Sequence, residues 1–218
     1  MRPDCAGKPW YAPGMMSVLL AACLIAAGAS CVEAVPEACT CLSARESHGW
    51  CDTHDVGYVA SIEIRSRLLY ETLDAHGHQL DLGTFECASC RSAIATSGFC
   101  AEHRVGFVNG LAYFSRLTYE LARGERCDAA TISCAVCRKH AEGSGWCEEH
   151  RLGMIGRVAI RDRAAFEHAA AALEVLQAAN REAARCEHCA MAIVTDGWCP
   201  LCRISYKNGK PLPRPAGP

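Results

Sequence analysis

Residues 134–150 read CAVCRKHAEGSGWCEEH, and this stretch decides how the rest of the chain is interpreted. Two cysteines stand three positions apart, nine residues follow them, and the stretch ends in a cysteine and a histidine three positions apart. Zn²⁺ is held tetrahedrally by four Cys or His side chains, and ligand pairs at short spacing are its usual sequence mark. Cys134, Cys137, Cys147 and His150 are therefore the candidate ligands of one metal ion.

The same pattern occurs four times along the chain. The candidate ligands of the other three copies are Cys39, Cys41, Cys51 and His54; Cys87, Cys90, Cys100 and His103; and Cys186, Cys189, Cys199 and Cys202. The first copy is one residue shorter between its leading cysteines, and the last copy has cysteine in place of histidine. Four complete ligand sets predict about four bound Zn²⁺ ions as cofactors.

The likeness between the copies extends beyond the ligands. A glycine and an aromatic residue precede every third ligand: Gly49-Trp50, Gly98-Phe99, Gly145-Trp146 and Gly197-Trp198. In the first three copies a glycine, an arginine and an aromatic-Glu pair follow at fixed distances: Gly57, Arg67 and Tyr70-Glu71; Gly106, Arg116 and Tyr119-Glu120; Gly153, Arg163 and Phe166-Glu167. Fixed periods of this kind indicate a repeat protein whose terminal unit is atypical.

The local pattern predicts a knuckle at each leading cysteine pair and a short β-hairpin over the nine residues that follow. The last two ligands, at i and i+3, would lie on the first turn of a helix. Apolar residues then recur at helical spacing, and in the third copy the helix would run from about Asp162 to Ala184. This order resembles treble-clef and related short zinc fingers, a fold group that serves several functions.

The predicted fold class is thus small metal-stabilised α+β repeats, with four knuckle–hairpin–helix modules in tandem and helix dominating overall. Four units are expected, which we number in chain order. The expected segments are an export signal or membrane anchor at 1–32, unit 1 at 39–80, unit 2 at 87–126, unit 3 at 134–184, a truncated unit 4 at 186–206, and a disordered basic Pro-rich tail at 207–218.

Disulfides are the alternative explanation for 17 cysteines in 218 residues. Each of the first three units contributes three cysteines to its cluster, so internal disulfides would leave one thiol over. A metal accepts either His150 or its counterpart Cys202, whereas a disulfide has no use for an imidazole. Covalent haem is disfavoured because no Cys-x-x-Cys-His occurs, and an iron–sulfur cluster would prefer four thiolates.

Four protein ligands leave no open coordination position, so the sites are expected to be structural and the protein is not expected to be an enzyme. The leading hypothesis is a scaffold for contacts with partner proteins. A metal-buffering or metal-delivery protein is the alternative, and thiol–disulfide redox chemistry at Cys87-x-x-Cys90 is a third class that the repeated histidines disfavour. The formal charge of −2 gives no cation surplus for binding nucleic acid.

The N-terminal segment predicts export. Arg2 and Lys8 precede an uncharged apolar run from Met15 to Val32, which has the layout of a signal. Cys23, in a stretch like a lipobox, or Cys31 could be acylated and anchor the chain to a membrane, and residues 27–29 form a small-x-small cleavage site. Secreted, periplasmic and membrane-anchored locations all follow from this interpretation, and a buried N-terminal helix is the alternative.

Several reactive or titratable residues lie outside the ligand sets. Cys127 is interpreted as a partner-seeking thiol or a buried bystander, and His48, His140 and His188 as solvent-exposed bystanders. A His-x-His at 76–78 is interpreted as part of an ordinary loop. The three Arg/Glu pairs are expected to be surface ion pairs, with a role in joining neighbouring units as the alternative.

Overall fold

The computed structural model describes residues 40–213, and helices make up 43% of it. The α-helices are α1 Cys41–Ser47, α2 Arg67–Leu73, α3 Ala88–Thr96, α4 Arg116–Arg123, α5 Ala135–Ala141, α6 Arg163–Ala183 and α7 Glu187–Thr195. The strands are β1 Trp50–Cys51, β2 Val56–Val59, β3 Ile62–Ile64, β4 His78–Gln79, β5 Phe99–Cys100, β6 Val105–Val108, β7 Leu111–Tyr113, β8 Glu125–Arg126, β9 Ser144–Cys147, β10 Leu152–Ile155, β11 Val158–Ile160, β12 Trp198–Cys199, β13 Ile204–Lys207 and β14 Lys210–Pro211.

The leading cysteine pairs of units 2–4 each begin a helix, and helix α1 begins at Cys41 of unit 1, which corrects the predicted order of knuckle, hairpin and helix. In unit 2, Cys87 is the N-cap of α3, and alanines in this helix favour the helical conformation over a hairpin. Ser97 ends the helix in the left-handed conformation, and its N–H donates to the carbonyl of Ala93. The first four to six of the nine residues between ligand pairs therefore continue this helix, and the chain becomes extended only near the Gly-aromatic step at their end.

The hairpin lies after the fourth ligand, where the sequence pattern predicted a helix. In unit 2, Val108 pairs with Leu111 across a turn at Asn109-Gly110, and both turn residues have positive φ. Asn-Gly between β-branched or aromatic residues is a strong signal for a two-residue hairpin turn. The sequence pattern predicted one helix over both these strand residues and those of α4. The helix in the structure begins only at Arg116.

The linkers between units add a fourth strand to the next sheet. β4 pairs with β7 of unit 2, and β8 pairs with β11 of unit 3, whereas the sheets of units 1 and 4 have three strands in the described part of the chain. Each of these linkers then forms a 3₁₀ turn capped by an aspartate, Asp81 or Asp128, that accepts from the N–H two residues later. Neighbouring units are therefore joined by main-chain pairing.

The second helices of units 1–3 and α7, the first helix of unit 4, pack together into one shared core. This core contains Leu69 and Leu73 of α2, Leu117 of α4, Leu173 of α6 and Ile193 of α7, and its buried residues are mainly aliphatic. Helix α6, which matches the predicted extent closely, packs against both α4 and α7. The described residues 40–213 accordingly lie within one compact unit, in which the four units share a core.

Unit 4 differs from the others at both of its ends. Helix α6 leads into α7 after only three residues, so no linker strand precedes its sheet. The interpretation of residues 207–218 as a disordered tail is wrong for the first part, because Lys207 ends β13 and Lys210–Pro211 form β14. The predicted leader at 1–32 and residues 214–218 lie outside the described residues.

Candidate metal centre

The four sequence motifs become four compact groups of sulfur and nitrogen atoms. In unit 2, the Sγ atoms of Cys90 and Cys100 lie 3.4 and 3.7 Å from Nδ1 of His103. In unit 3, the Sγ atoms of Cys137 and Cys147 lie 3.7 and 3.4 Å from Nδ1 of His150. Within each group the possible ligand atoms all lie within 4.8 Å of one another.

Units 1 and 4 form groups of the same kind. In unit 1, the Sγ atoms of Cys41 and Cys51 lie 3.2 and 3.6 Å from Nδ1 of His54, and the remaining predicted ligand, Cys39, lies outside the described residues. In unit 4, the four cysteines 186, 189, 199 and 202 converge, with 3.8 Å between the Sγ atoms of the first and third. Four Cys/His clusters are thus positioned to bind metal ions.

These separations fit the geometry of a tetrahedral metal site. Zinc bonds of about 2.3 Å to sulfur and 2.0–2.1 Å to nitrogen place two sulfurs about 3.8 Å apart and a sulfur about 3.6 Å from a nitrogen. A disulfide would require about 2.05 Å between sulfurs. None of the cysteines between positions 51 and 202 forms a disulfide in the structure. The donor atoms therefore stand at the distances expected around a shared cation.

The ligands lie on different elements from those predicted. In units 2–4 the first two begin a helix. In all four units the third ends a short strand and the fourth occupies the following turn, so histidines 54, 103 and 150 are not on a helix. The residue after each fourth ligand has positive φ, with Asp55, Arg104, Arg151 and Arg203 at 46–56°. This left-handed residue turns the chain from the cluster into the hairpin, and the tight turn just before it brings the third and fourth ligands together.

Main-chain N–H groups point at several of the sulfurs. The N–H of Cys90 donates to Sγ of Cys87 at 3.4 Å, and the N–H of Cys137 donates to Sγ of Cys134 at 3.5 Å. In unit 4, the N–H of Cys202 donates to Sγ of Cys199 at 3.3 Å. Such bonds stabilise the thiolate form, which is the form that binds metal.

Burial within the clusters has the opposite effect on the second cysteine. Burial, followed by the neighbouring thiols Cys100 and Cys87, raises the pKa of Cys90 to about 12. Burial likewise raises the pKa of the equivalent Cys137 and Cys189 to about 12. Several thiolates cannot share such a space without a compensating cation, and a coordinated metal deprotonates its thiol ligands. The clusters are therefore electrostatically suited to a divalent ion.

The residue four positions after each fourth ligand packs with the ligand cysteines in units 1, 2 and 4, a role that sequence analysis missed; in unit 3 it packs with Ala141 and Ala159 instead. These residues are Tyr58, Phe107, Met154 and Tyr206. The Tyr206 hydroxyl hydrogen-bonds Cys189, and burial followed by this bond raises the pKa of Tyr206. The Tyr58 hydroxyl makes the equivalent bond to Cys41. These residues lie on the first hairpin strand of each unit (β2, β6, β10 and β13). Recognition of the hairpin in the sequence would have identified them, because alternate residues of a strand face the same side.

A stack of three side chains connects each cluster in units 1–3 to its own second helix. In unit 3, the Arg163 guanidinium lies 4.7 Å from the centre of the Trp146 ring, and the Phe166 ring lies 5.5 Å from it. Arg163 also pairs with Glu148 and Glu167. The Arg/Glu pairs of units 1 and 3 are exposed, as predicted, and lie within one unit. In unit 2 the prediction of a surface pair is wrong, because Glu120 is 1% exposed, and Arg116 also contacts His168 of unit 3.

The three histidines that lie between the ligands of units 1, 3 and 4 have different environments. His48 is 7% exposed, which contradicts its interpretation as an exposed bystander: Ala60 N–H donates to its Nδ1 at 3.2 Å and Tyr70 O–H donates to its carbonyl. Burial, followed by the charge of Arg126, lowers the pKa of His48 to about 4. His140 is half-buried against Gly145, and His188 is exposed as predicted.

Comparison with known proteins adds no further constraint. No protein-family model, no curated protein and no solved structure matches the chain. The clusters suggest zinc-finger-like modules, and that description rests on the geometry alone. None of the helices within residues 40–213 is both long enough and apolar enough to cross a membrane.

Proposed function

We propose that the protein is a multi-site structural zinc-binding protein that serves as a scaffold for contacts with other proteins. The observation that carries this proposal is the convergence of Cys and His donors at tetrahedral distances in four places. Zinc is favoured because mixed thiolate and imidazole ligands suit it, and because one site replaces histidine with cysteine without changing the spacing. Four protein ligands per site support a non-catalytic role.

Metal content is the direct test of this proposal. The purified protein should hold close to four zinc ions by native mass spectrometry with elemental analysis. Addition of a strong chelator should unfold it, because the first helix and strand of units 1–3 lie outside the shared core and are held together chiefly around the cluster. One zinc or fewer, together with intact folding in chelator, would contradict the proposal.

A second candidate function is the buffering or delivery of zinc or another thiophilic ion. It is favoured by the exposure of the histidine ligands 54, 103 and 150 at the edge of their clusters. A competing chelator distinguishes the two functions. A structural protein should release its metals slowly and unfold as it does so, whereas a delivery protein should exchange one or more ions rapidly while it stays folded.

Export of the chain is part of the proposal and is motivated by residues 1–32. An uncharged apolar run behind two cations is typical of a signal segment. In an oxidising space, metal binding would protect the thiolates, so loading would accompany folding. Labelled-lipid incorporation and fractionation of the full-length protein, compared with Cys23→Ala and Cys31→Ala, test this. Recovery of the protein in the cytosol with Met1 intact would remove the export proposal.

A further inference from the structure

One face of every sheet in units 1–3 is covered by the helix that follows it. In unit 3 the strand pairing places Trp146, Gly153, Ile155, Val158 and Ile160 on this face, with Ser144 and Arg126 at its outer edges. Helix α6 covers the first five, and Ile155, Val158 and Ile160 are at most 5% exposed. Units 1 and 2 repeat this arrangement under α2 and α4.

No helix within residues 40–213 covers the same face of unit 4, which is also chemically different. By the same pairing it carries Trp198, Ser205, Lys207, Lys210 and Leu212. Trp198 and Leu212 are 55% and 45% exposed, and both lysines are exposed. Two lysines thus stand where the other units bury aliphatic residues. We call these five residues the unit 4 face.

Ser205 limits what could cover this face. It stands opposite Trp198, at the position of Gly153 in unit 3, where an added Cβ would lie 2.3 Å from the Phe166 ring. The covering aromatic residues of units 1–3 therefore could not be reproduced above Ser205. Beside the face, Leu201 is 68% exposed and replaces Glu149 of unit 3, so the rim is also more apolar.

The unit 4 face continues into a groove of about 700 Å³ between this unit, α6 and the start of α4. Its floor includes Leu117, Val175 and Leu176, and Lys207 and Lys210 line one side. Within the described residues, neither lysine has an acidic partner within 4 Å. Arg104, on the groove wall, is paired with Asp196 at 3.1 Å. The lining also contains Glu174, so four cations (Arg104, Arg116, Lys207 and Lys210) face two acids, Glu174 and Asp196. The groove therefore combines an apolar floor with a net positive charge.

We propose that the unit 4 face and its groove bind an amphipathic, acidic helix of a partner protein. A helix fits because the chain itself places a helix on the equivalent face three times. Acidic residues of the partner would pair with Lys207 and Lys210, and a small residue would lie over Ser205. An arginine of the partner would stack on Trp198, as Arg67 stacks 4.6 Å from the centre of Trp50. The inference rests on the scaffold function and specifies its docking surface.

A pair of synthetic peptides tests this docking surface. Both are helices stapled to fix the conformation, with arginine and alanine at the positions equivalent to Arg67 and Tyr70 of α2. One has glutamates facing the two lysines, and the other has lysines there. In fluorescence anisotropy with the zinc-loaded full chain, the acidic peptide should bind saturably and about tenfold or more tightly than the basic one, which corresponds to at least about 1.4 kcal/mol.

Variants of the chain locate the binding. Lys207→Glu with Lys210→Glu should reverse the preference between the peptides, and Trp198→Ala should weaken the acidic peptide about tenfold. Lys207→Ala with Lys210→Ala, which should abolish the preference, replaces the charge reversal if that variant fails to hold metal. Lys139→Glu and Leu80→Ala are matched exposed controls outside the face and should leave binding unchanged.

Several results would overturn the inference. They are absence of saturable binding, equal affinity for both peptides, or loss of binding in the control variants. Sedimentation with anionic phospholipid vesicles that is lost in Lys207→Glu would assign the face to a lipid surface instead. Self-association that is lost in Trp198→Ala would assign it to a second copy. Metal content is measured on each sample, so the two proposals can be distinguished. A chain that holds four metal ions but binds no peptide contradicts the docking surface and leaves the zinc proposal intact.

Discussion

At the scale of single residues, the fourth ligand offers the sharpest test of the metal sites. His150→Cys should retain its metal and its fold, because Cys202 already occupies this position in unit 4. His150→Ala should open a coordination position and lower the affinity of this site strongly, since three ligands remain. Native mass spectrometry under chelator competition measures both. A His150→Ala protein that holds its metal as tightly as the parent would contradict the ligand assignment.

His48 predicts a pH dependence of stability. Its folded pKa of about 4 lies below the value of about 6.5 expected when unfolded, so the unfolded chain binds the extra proton between these values. The stabilisation is complete above pH 6.5 and is lost as the pH falls toward 4. The free energy of unfolding of the parent, relative to His48→Gln, should decrease by about 2 kcal/mol between pH 7 and 5. Denaturation in excess zinc measures it, and a constant difference would refute it.

At the scale of elements, the glycine opposite each aromatic residue controls how closely the second helix packs. An added Cβ at Gly153 would lie 2.3 Å from Phe166, whereas nothing lies within 4 Å of one at Gly143. Gly153→Ala should therefore destabilise the protein by roughly 1–3 kcal/mol, and Gly143→Ala serves as the control. Thermal or denaturant unfolding measures both. Equal stability of the two variants would show that Phe166 can move away without loss.

The element scale also shows how far sequence reasoning could reach. Ligand spacing predicted the four clusters because metal geometry fixes which side chains must meet. Helix α6 was predicted well because its apolar pattern is long. The hairpins were missed because strands of three or four residues such as β6 and β7 carry apolar runs that also fit a helix. The Asn109-Gly110 turn is the feature that distinguishes a hairpin from a helix here. The shared core could not be predicted, since it joins residues far apart in the chain.

At the scale of the whole molecule, the shared core predicts that the loss of one metal site is felt in other units. Cys189→Ser with Cys199→Ser should release the metal of unit 4 and loosen α7. Because α7 packs against α2, amide hydrogen exchange in α2 of unit 1 should accelerate. Cys127→Ser, outside every cluster, is the control. If exchange changes only within unit 4, the units are energetically independent.

The linker strands β4 and β8 have a consequence for the order of events during synthesis. Each is made before the hairpin that it joins, so the sheets of units 2 and 3 have all four strands present once their hairpins emerge. Nothing synthesised later is needed to close those two sheets. The shared core is different, because α7 comes near the end and α2 near the start. During synthesis the sheets would therefore form one after another. The shared core would be completed only when α7 has been made and packs against α2 and α6.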